Sequence, residues 1–297
     1  MPAARSTHWQ LTAALVPVLM FSFGCGKRVE RESPGAKLDR LLSANRLDEA
    51  EKFCRELVKK RDSDVLIHRG NLARVLCLRG EARLEALGFF DPDPVKARAA
   101  KGKTGYLDAL ARFRDAASEC RAVLRELRSE REQQAFAKVR GTLGLALYRQ
   151  GKTREAISEL KRAVADDPKL AAAHNTLGLI FHELGKSEAA VANFKAALQA
   201  DPGLAEAAYN LGVYFEDEVA ELARIETEAR EAGSRPPKGT ASKKVTARNQ
   251  AVKYYRRFLR EQAGKGRRKQ EVRRRIQKLA APAGNVSELP GNTSRAA

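Results

Sequence analysis

The chain has 297 residues, of which 43% are hydrophobic and 31% charged, a balance that excludes disorder over its whole length. Aromatic residues make up only 6%, so alanine and leucine supply most apolar side chains, which favours packed helices over a sheet. Four cysteines exclude a small fold built on disulfides, and the excess of basic residues gives a net charge of +19.

The N-terminal segment 1–24 is predicted to be a secretory signal peptide. Arg5 is its only charged residue, and residues 11–24 form an uncharged run of 14 residues. A run of this length is too short to span a bilayer, which needs about 20 residues, but it suits the apolar part of a signal.

Cys25 directly follows Gly24, and this boundary resembles the lipobox of bacterial lipoproteins, in which a small residue precedes a lipidated cysteine. Ser22 and Phe23 depart from the lipobox pattern, and an ordinary signal peptidase would cut the same bond. We expect Cys25 to be lipidated and residues 25–36 to form a polar tether. A soluble exported protein and a cytosolic protein with a misread N-terminus are the alternatives.

Residues 37–136 are predicted to form helices that pack in an irregular series. One apolar stripe comprises Leu47, Ala50, Cys54 and Leu57, and a second comprises Leu72, Ala73, Leu76 and Gly80. A third stripe starts at Leu107 and continues through Ala109, Phe113 and Ala116. An insertion near 88–105, rich in Pro, Gly and basic residues, separates the second stripe from the third.

Residues 137–204 contain two regular units with a period of 34 residues, the spacing between Pro168 and Pro202. The aligned positions are Leu143-Gly144 with Leu177-Gly178, Leu147 with Phe181, Gly151 with Gly185, Ala156 with Ala190, Leu160 with Phe194, and Ala163 with Ala197. This order of residue types closely resembles the tetratricopeptide repeat (TPR) family. Arg140, His174 and Ala208 stand where that pattern has Trp.

The glycines of these units have two predicted roles. Gly144 and Gly178 lie inside helices, where glycine costs about 1 kcal/mol relative to alanine, so another helix should pass close by. Gly151 and Gly185 stand where a helix should end in a left-handed turn.

The last unit, 205–281, is predicted to be interrupted as well. A long helix starts near Leu211-Gly212 and runs to about Glu231, and residues 233–246 form a loop. Ala251, Tyr255 and Phe258 then resume the second-helix pattern, and 272–279 form a basic capping helix. Residues 282–297 are rich in Pro, Gly, Asn and Ser, and are predicted to be disordered.

The predicted fold is therefore an all-α, TPR-type helix-turn-helix solenoid of about five units, two of them interrupted, with a basic C-terminal cap. The family resemblance implies a concave groove built from the first helices, where a peptide or helix of a partner protein binds. Its lining would be Tyr148, Arg149, Asn175, Leu179, His182, Glu183, Tyr209, Val213, Glu216 and Asp217.

No motif of the sequence supports catalysis, a cofactor or a metal. Gly102-Lys103-Thr104, Gly151-Lys152-Thr153 and Gly185-Lys186-Ser187 each lack the earlier glycine that a phosphate-binding P-loop needs. His174 and His182 are eight residues apart and do not make a closed metal site. Cys54, Cys77 and Cys120 fall on apolar stripes, and a disulfide between Cys77 and Cys120 is left open.

Residues 232–280 hold 17 Lys or Arg and two acidic residues, which is +15 of the total +19. The predicted basic patch comprises Arg256, Arg257, Arg267, Arg268, Lys269, Arg273, Arg274 and Arg275. Such a concentration attracts polyanions, yet it is equally typical of a solvated basic cap. In an exported protein, anionic lipid or an acidic partner is the expected target, and nucleic acid is disfavoured.

These features predict a non-catalytic TPR lipoprotein that faces the periplasm, with the outer membrane slightly favoured. It would act as a protein-interaction scaffold or assembly factor for an envelope complex of the pilus, secretion or motility type. No small-molecule substrate is expected. The alternative is a cytosolic TPR module that binds polyanions or nucleic acid through residues 232–280.

Overall fold

The computed structural model describes residues 32–87, 104–261 and 267–280, and every regular element within these ranges is an α-helix. The helices are α1 (Pro34–Ser43), α2 (Leu47–Lys60), α3 (Val65–Ala86), α4 (Thr104–Glu126), α5 (Glu130–Ala135), α6 (Ala137–Arg149), α7 (Thr153–Asp166), α8 (Ala171–Glu183), α9 (Ser187–Ala200), α10 (Ala205–Glu231), α11 (Thr240–Glu261) and α12 (Arg267–Ala280).

The helices pack as a linear series of pairs, which confirms the predicted all-α solenoid. The pairs are α1 with α2, α3 with α4, α6 with α7, α8 with α9, and α10 with α11. The first helices α3, α6, α8 and α10 also contact one another in succession, and α12 packs on α11 at the C-terminal end. One apolar core runs continuously through all the pairs.

The interior glycines stand where a side chain of the paired helix packs directly against the backbone, in agreement with the predicted close contact. A Cβ atom added at Gly144 would lie 2.4 Å from Leu160 Cγ, and one at Gly178 would lie 2.5 Å from Phe194 Cδ1. The same contact recurs between Gly212 and Tyr255, at 2.5 Å. It also recurs in α3, where Gly80 lies in the middle of the helix and faces Phe113 at 2.6 Å. A side chain at these positions would separate the two helices.

The turns inside the regular units have the predicted left-handed geometry. Gly151 and Gly185 adopt φ values of +79° and +69°, a region that favours glycine. In the first of these turns, the amide of Lys152 donates a hydrogen bond of 3.0 Å to the carbonyl of Leu147. These glycine-lysine sequences are therefore connections between helices.

The loop predicted over 233–246 is shorter in the structure, because α11 already begins at Thr240. The hydroxyl of Thr240 donates a hydrogen bond of 2.7 Å to the carbonyl of Pro237. Gly239 adopts φ +86° and reverses the chain before the helix. The buried positions Ala247, Ala251, Tyr255 and Phe258 then continue one apolar stripe along α11. The sequence did not predict the start of α11, because residues 240–246 are mostly polar. Without regularly spaced apolar residues, the helical period cannot be recognised there.

Glu51 on α2 forms a charged centre among the N-terminal helices. Its side chain is only 8% exposed and accepts hydrogen bonds from Arg55 on α2, Arg79 on α3 and Arg112 on α4. Burial alone would raise the pKa of this carboxyl, but the hydrogen bonds from Arg55 and Arg79 and the charges of Arg79 and Arg112 outweigh it and lower the pKa. One carboxylate therefore joins three helices.

Several predicted features lie outside the described residues: the signal peptide 1–24, the tether from Cys25 to residue 31, most of the 88–105 insertion, and the 282–297 tail. Of the tether, residues 32–36 are described, and Pro34 already begins α1. Among the described helices, none combines the length and the apolar character that crossing a bilayer would need.

Candidate partner-binding face

Four first helices, α3, α6, α8 and α10, contact one another in succession and present a common side, called here the first-helix face. Nine of the ten predicted groove residues keep some exposure, and Tyr209 has none. Tyr148 and Leu179 are each only 7% exposed, so they form the floor of this face. Glu183 and Asp217 are exposed, while Arg149, Asn175, His182, Val213 and Glu216 are half-buried.

The contact between α6 and α8 joins two predicted groove residues. The hydroxyl of Tyr148 donates a hydrogen bond to the carboxylate of Glu183. Burial raises the pKa of Tyr148 well above its ordinary value, so its hydroxyl keeps its proton near neutral pH. Partial burial of the Glu183 carboxyl raises its pKa despite the hydrogen bond from Tyr148 and the charge of Arg149.

Arg149 connects α6 to the preceding first helix. Its guanidinium binds Glu81 of α3 through two hydrogen bonds, Nε to Oε1 at 2.7 Å and Nη2 to Oε2 at 2.9 Å. The same guanidinium lies 5.3 Å from the centre of the Tyr148 ring. Glu81 was missed by the sequence analysis, because the N-terminal units lack the regular 34-residue period.

The contact between α8 and α10 repeats this arrangement. The side-chain amide of Asn210 donates a hydrogen bond of 2.9 Å to Asn175 Oδ1. His182 Nε2 lies 3.4 Å from Asp217 Oδ2, and its ring contacts Tyr214 edge-on at 5.6 Å between centroids. His182 therefore belongs to this face, whereas His174 binds the carbonyl of Pro168 at 3.0 Å and contacts Asn193 of α9 at 3.4 Å.

Three of these contacts obey one rule of spacing, which the sequence analysis overlooked. Tyr148 with Glu183 and Asn175 with Asn210 are each 35 residues apart. His182 and Asp217 have the same separation. A side chain on one first helix thus contacts the residue 35 positions later, which is one repeat of 34 residues plus one, on the next first helix. This signal was present in the sequence and would have identified Asn210.

Tyr209 and Glu216 must be reassigned, since the C-terminal helices cover them. Tyr209 is fully buried against Tyr255 and Phe258 of α11, with the Arg268 guanidinium 4.3 Å from its ring centre. Glu216 accepts hydrogen bonds from the Tyr255 hydroxyl and from Arg275 Nη1, the latter at 3.1 Å. Tyr209 is therefore a core residue, and Glu216 anchors α12.

The predicted basic patch divides into structural and exposed members. Arg268 and Arg275 face the core as described, and Arg257 donates to the carbonyl of Pro202 at 2.7 Å. Lys269 is half-buried, and Arg256, Arg273 and Arg274 are exposed. The exposed side of α11 and α12 also includes Lys253, Arg260 and Lys278. Arg267 is the first residue of α12, and its side chain lies outside the described part of the structure.

The remaining candidate residues are part of the core. Cys54, Cys77 and Cys120 are buried and free, and burial raises the pKa of each thiol, to about 11 for Cys54 and to about 12 for Cys120. They are inert positions for thiolate chemistry near neutral pH. Within the described ranges, no cluster of three His, Cys, Asp or Glu residues has the geometry to hold a metal ion.

A model of the tetratricopeptide repeat matches residues 142–205 and 183–235, the segment that builds most of the first-helix face. Residues 142–235 belong to the tetratricopeptide repeat family. No curated protein matches its sequence.

The fold of this chain resembles that of solved structures. The human IFIT1 dimer with m7Gppp-AAAA is 13% identical, with 83% of this chain and 50% of that chain covered and a TM-score of 0.51. A monomeric IFIT1 mutant with the same ligand is 13% identical. The match covers 84% of this chain and 46% of that chain, with a TM-score of 0.56. A thermophilic TPR protein from Thermus thermophilus is 18% identical, with 83% and 96% covered and a TM-score of 0.48. This chain thus spans about half the length of IFIT1.

Proposed function

We propose that this TPR protein is a non-catalytic scaffold that binds a segment of a partner protein along the first-helix face. The contacts between residues 35 positions apart support the proposal most directly, because they hold side chains of neighbouring helices in fixed positions before any partner arrives. A prearranged face lowers the entropy that binding costs. TPR proteins generally act in this way, without catalysis.

The charges on this face favour a basic segment as the ligand. Among the predicted groove residues, Glu183 of α8 and Asp217 of α10 are exposed acidic residues, although the Glu183 carboxyl itself is partly buried. Arg149 is neutralised by its paired hydrogen bonds to Glu81, so it does not offset them. Complementary charge mainly increases the association rate and the specificity of such a complex.

The double substitution Glu183→Gln and Asp217→Asn is expected to weaken partner capture at least tenfold and leave helicity unchanged. Both changes remove charge and keep the size of the side chain and one accepting oxygen. Cross-linking and quantitative pull-down measure capture, and circular dichroism measures helicity. Glu188→Gln with Glu231→Gln is the matched control, because it removes two exposed carboxylates from other positions. Equal capture by both variants would show that the partner does not use this face.

The location proposed for the scaffold is the bacterial envelope, lipid-anchored through Cys25 and facing the periplasm, where it would serve an envelope complex. The uncharged run 11–24 before Cys25 supports this part of the proposal. The exposed basic residues of α11 and α12 would then contact anionic lipid. Each such residue near the membrane surface would contribute about 1 kcal/mol to the binding free energy.

Cys25→Ser is expected to move the protein from the membrane fraction to the soluble fraction. Intact mass should show that the wild type lacks residues 1–24 and carries acyl groups, whereas the variant carries none. A soluble wild type that keeps residues 1–24 would contradict the envelope location. The exposed basic side of α11 and α12 would then favour the second function, a cytosolic polyanion-binding module.

A further inference from the structure

A basic cleft lies on the side of the solenoid formed by the second helices. It has a volume of about 550 Å³, between α4 and the turn that joins α6 to α7. Four of its lining residues are basic: Arg114, Arg121 and Arg125 of α4, and Lys152 of the turn. Clefts of about 300 to 1,000 Å³ are typical of small-ligand sites.

Three of the four arginines of α4 share one stripe of the helix, and the fourth, Arg112, binds Glu51 on another side. Arg114, Ser118, Arg121 and Arg125 follow each other at spacings of three or four residues, which places them on one side. The acidic residues Asp108, Asp115 and Glu119 lie on a different stripe, from which Asp108 contacts Arg83 and Glu119 contacts Arg69, both of α3. The side of α4 that faces the cleft is therefore positive and carries no carboxylate, and the acidic residues lie on another side together with Arg112.

The cleft is poor in compensating charge. Arg121 pairs with Glu155 of α7 at 3.2 Å, in a solvent-exposed contact that contributes little. Among the described residues, no ion pair involves Arg114, Arg125 or Lys152. Arg121 and Arg125 are one helical turn apart, and like charges at this spacing repel each other. An anionic ligand would relieve this repulsion.

The walls of the cleft are held in place without a ligand. The side-chain amide nitrogen of Gln150 donates hydrogen bonds of 3.0 Å to the carbonyls of Phe113 on α4 and of Ala146 on α6. The bond to Phe113 fixes the turn carrying Lys152 against α4. The cleft continues through Arg121 and Arg125 into a second one, of about 460 Å³, which includes Arg140 and Arg162 as well as Glu155 and Glu159.

We propose that this cleft binds a ligand with two linked phosphoryl groups. Guanidinium groups match phosphate oxygens in geometry, and Ser118 adds a hydroxyl donor. A single phosphoryl group supplies about 1.5 to 2 negative charges, so two groups balance the lining better than one. The site uses second helices and the turn, and it is separate from the first-helix face.

Titration of the full chain with inorganic pyrophosphate tests the site, by calorimetry near physiological salt. Arg114→Gln with Arg125→Gln is expected to weaken binding at least tenfold. Both side chains are exposed and form no ion pair with another described residue, so folding should be unaffected. The control Arg230→Gln with Arg235→Gln removes the same charge from α10 and the following loop, and should change affinity less than twofold. Orthophosphate should bind more weakly than pyrophosphate.

A diphosphate carried on a lipid is the other source of the same chemistry, and flotation with vesicles containing an isoprenyl diphosphate distinguishes it. Vesicle binding that depends on Arg114 and Arg125, without pyrophosphate binding, assigns the site to a lipid headgroup. Equal weakening by both double variants, or binding of neither probe, would overturn the proposal. Neither result affects the first-helix face, whose test uses a protein partner.

Discussion

Replacement of Glu51 by glutamine should lower the free energy of unfolding by about 3 kcal/mol. Glu51 is 8% exposed and accepts hydrogen bonds from arginines of three helices, so its neutral substitute leaves their charges facing one another. Arg79 and Arg112 keep about a quarter of their surface in water, which places the effect at the lower end for buried ion pairs. Urea unfolding followed by circular dichroism measures it.

The matched control is Glu49→Gln on the same helix. Glu49 pairs with Arg46, but both side chains are more than half exposed, so we expect less than about 1 kcal/mol. An equal loss of stability in the two variants would mean that the Glu51 centre contributes no more than a surface ion pair.

The pH dependence of stability provides an independent measurement of the same centre. The pKa of Glu51 is lowered in the folded protein, so its stabilising contribution is complete above the unfolded-state pKa, about 4.3, and is lost as the pH falls below it. Glu51→Gln lacks this group, so its stability should decline less steeply than the wild type's between about pH 4.3 and more acidic values.

Phe194→Ala should destabilise the protein by about 3 to 5 kcal/mol, because Phe194 is 1% exposed and fills the space between α8 and α9. Its ring stands against Gly178, where an added Cβ would lie 2.5 Å from Cδ1 and 3.0 Å from Cγ. Gly178→Ala alone is therefore expected to cost about 1 to 3 kcal/mol through overpacking.

The double variant tests whether that contact is the cause. In the Phe194→Ala background the clash is gone, so Gly178→Ala should now stabilise the helix by up to about 1 kcal/mol. Gly35→Ala is the control without a neighbour, since nothing lies within 4 Å of the position, and it should not destabilise. If Gly178→Ala destabilises equally in both backgrounds, the ring of Phe194 is not what requires glycine.

Local pattern predicted the parts of this fold that repeat. The 34-residue period predicted a close helix-helix contact at Gly178 and the left-handed turns at Gly151 and Gly185, because each depends on contacts within one pair of helices. The Glu51 centre was not predictable in this way. Its arginines Arg79 and Arg112 are 28 and 61 residues away, and no period relates them.

The first-helix face was predicted only in part, for a related reason. The position of a residue in the repeat pattern indicates whether its side chain points from a first helix toward the groove. It does not indicate whether another helix covers that side chain. Tyr209 holds a groove position by sequence and is buried only because α11 and α12 pack over it. The same packing turned Arg268 and Arg275 from a predicted surface patch into structural residues.

The position of α12 also determines what covers the last described helix pair. A stack of identical helix pairs leaves its last apolar side able to receive another pair, from the same chain or from a second molecule. Here Val272 and Leu279 of α12 are buried, and Arg275 reaches back to Glu216 of α10. The outer side of α12 presents Arg273, Arg274 and Lys278 to solvent. These charges disfavour the packing of a second α12 of the same kind against this side.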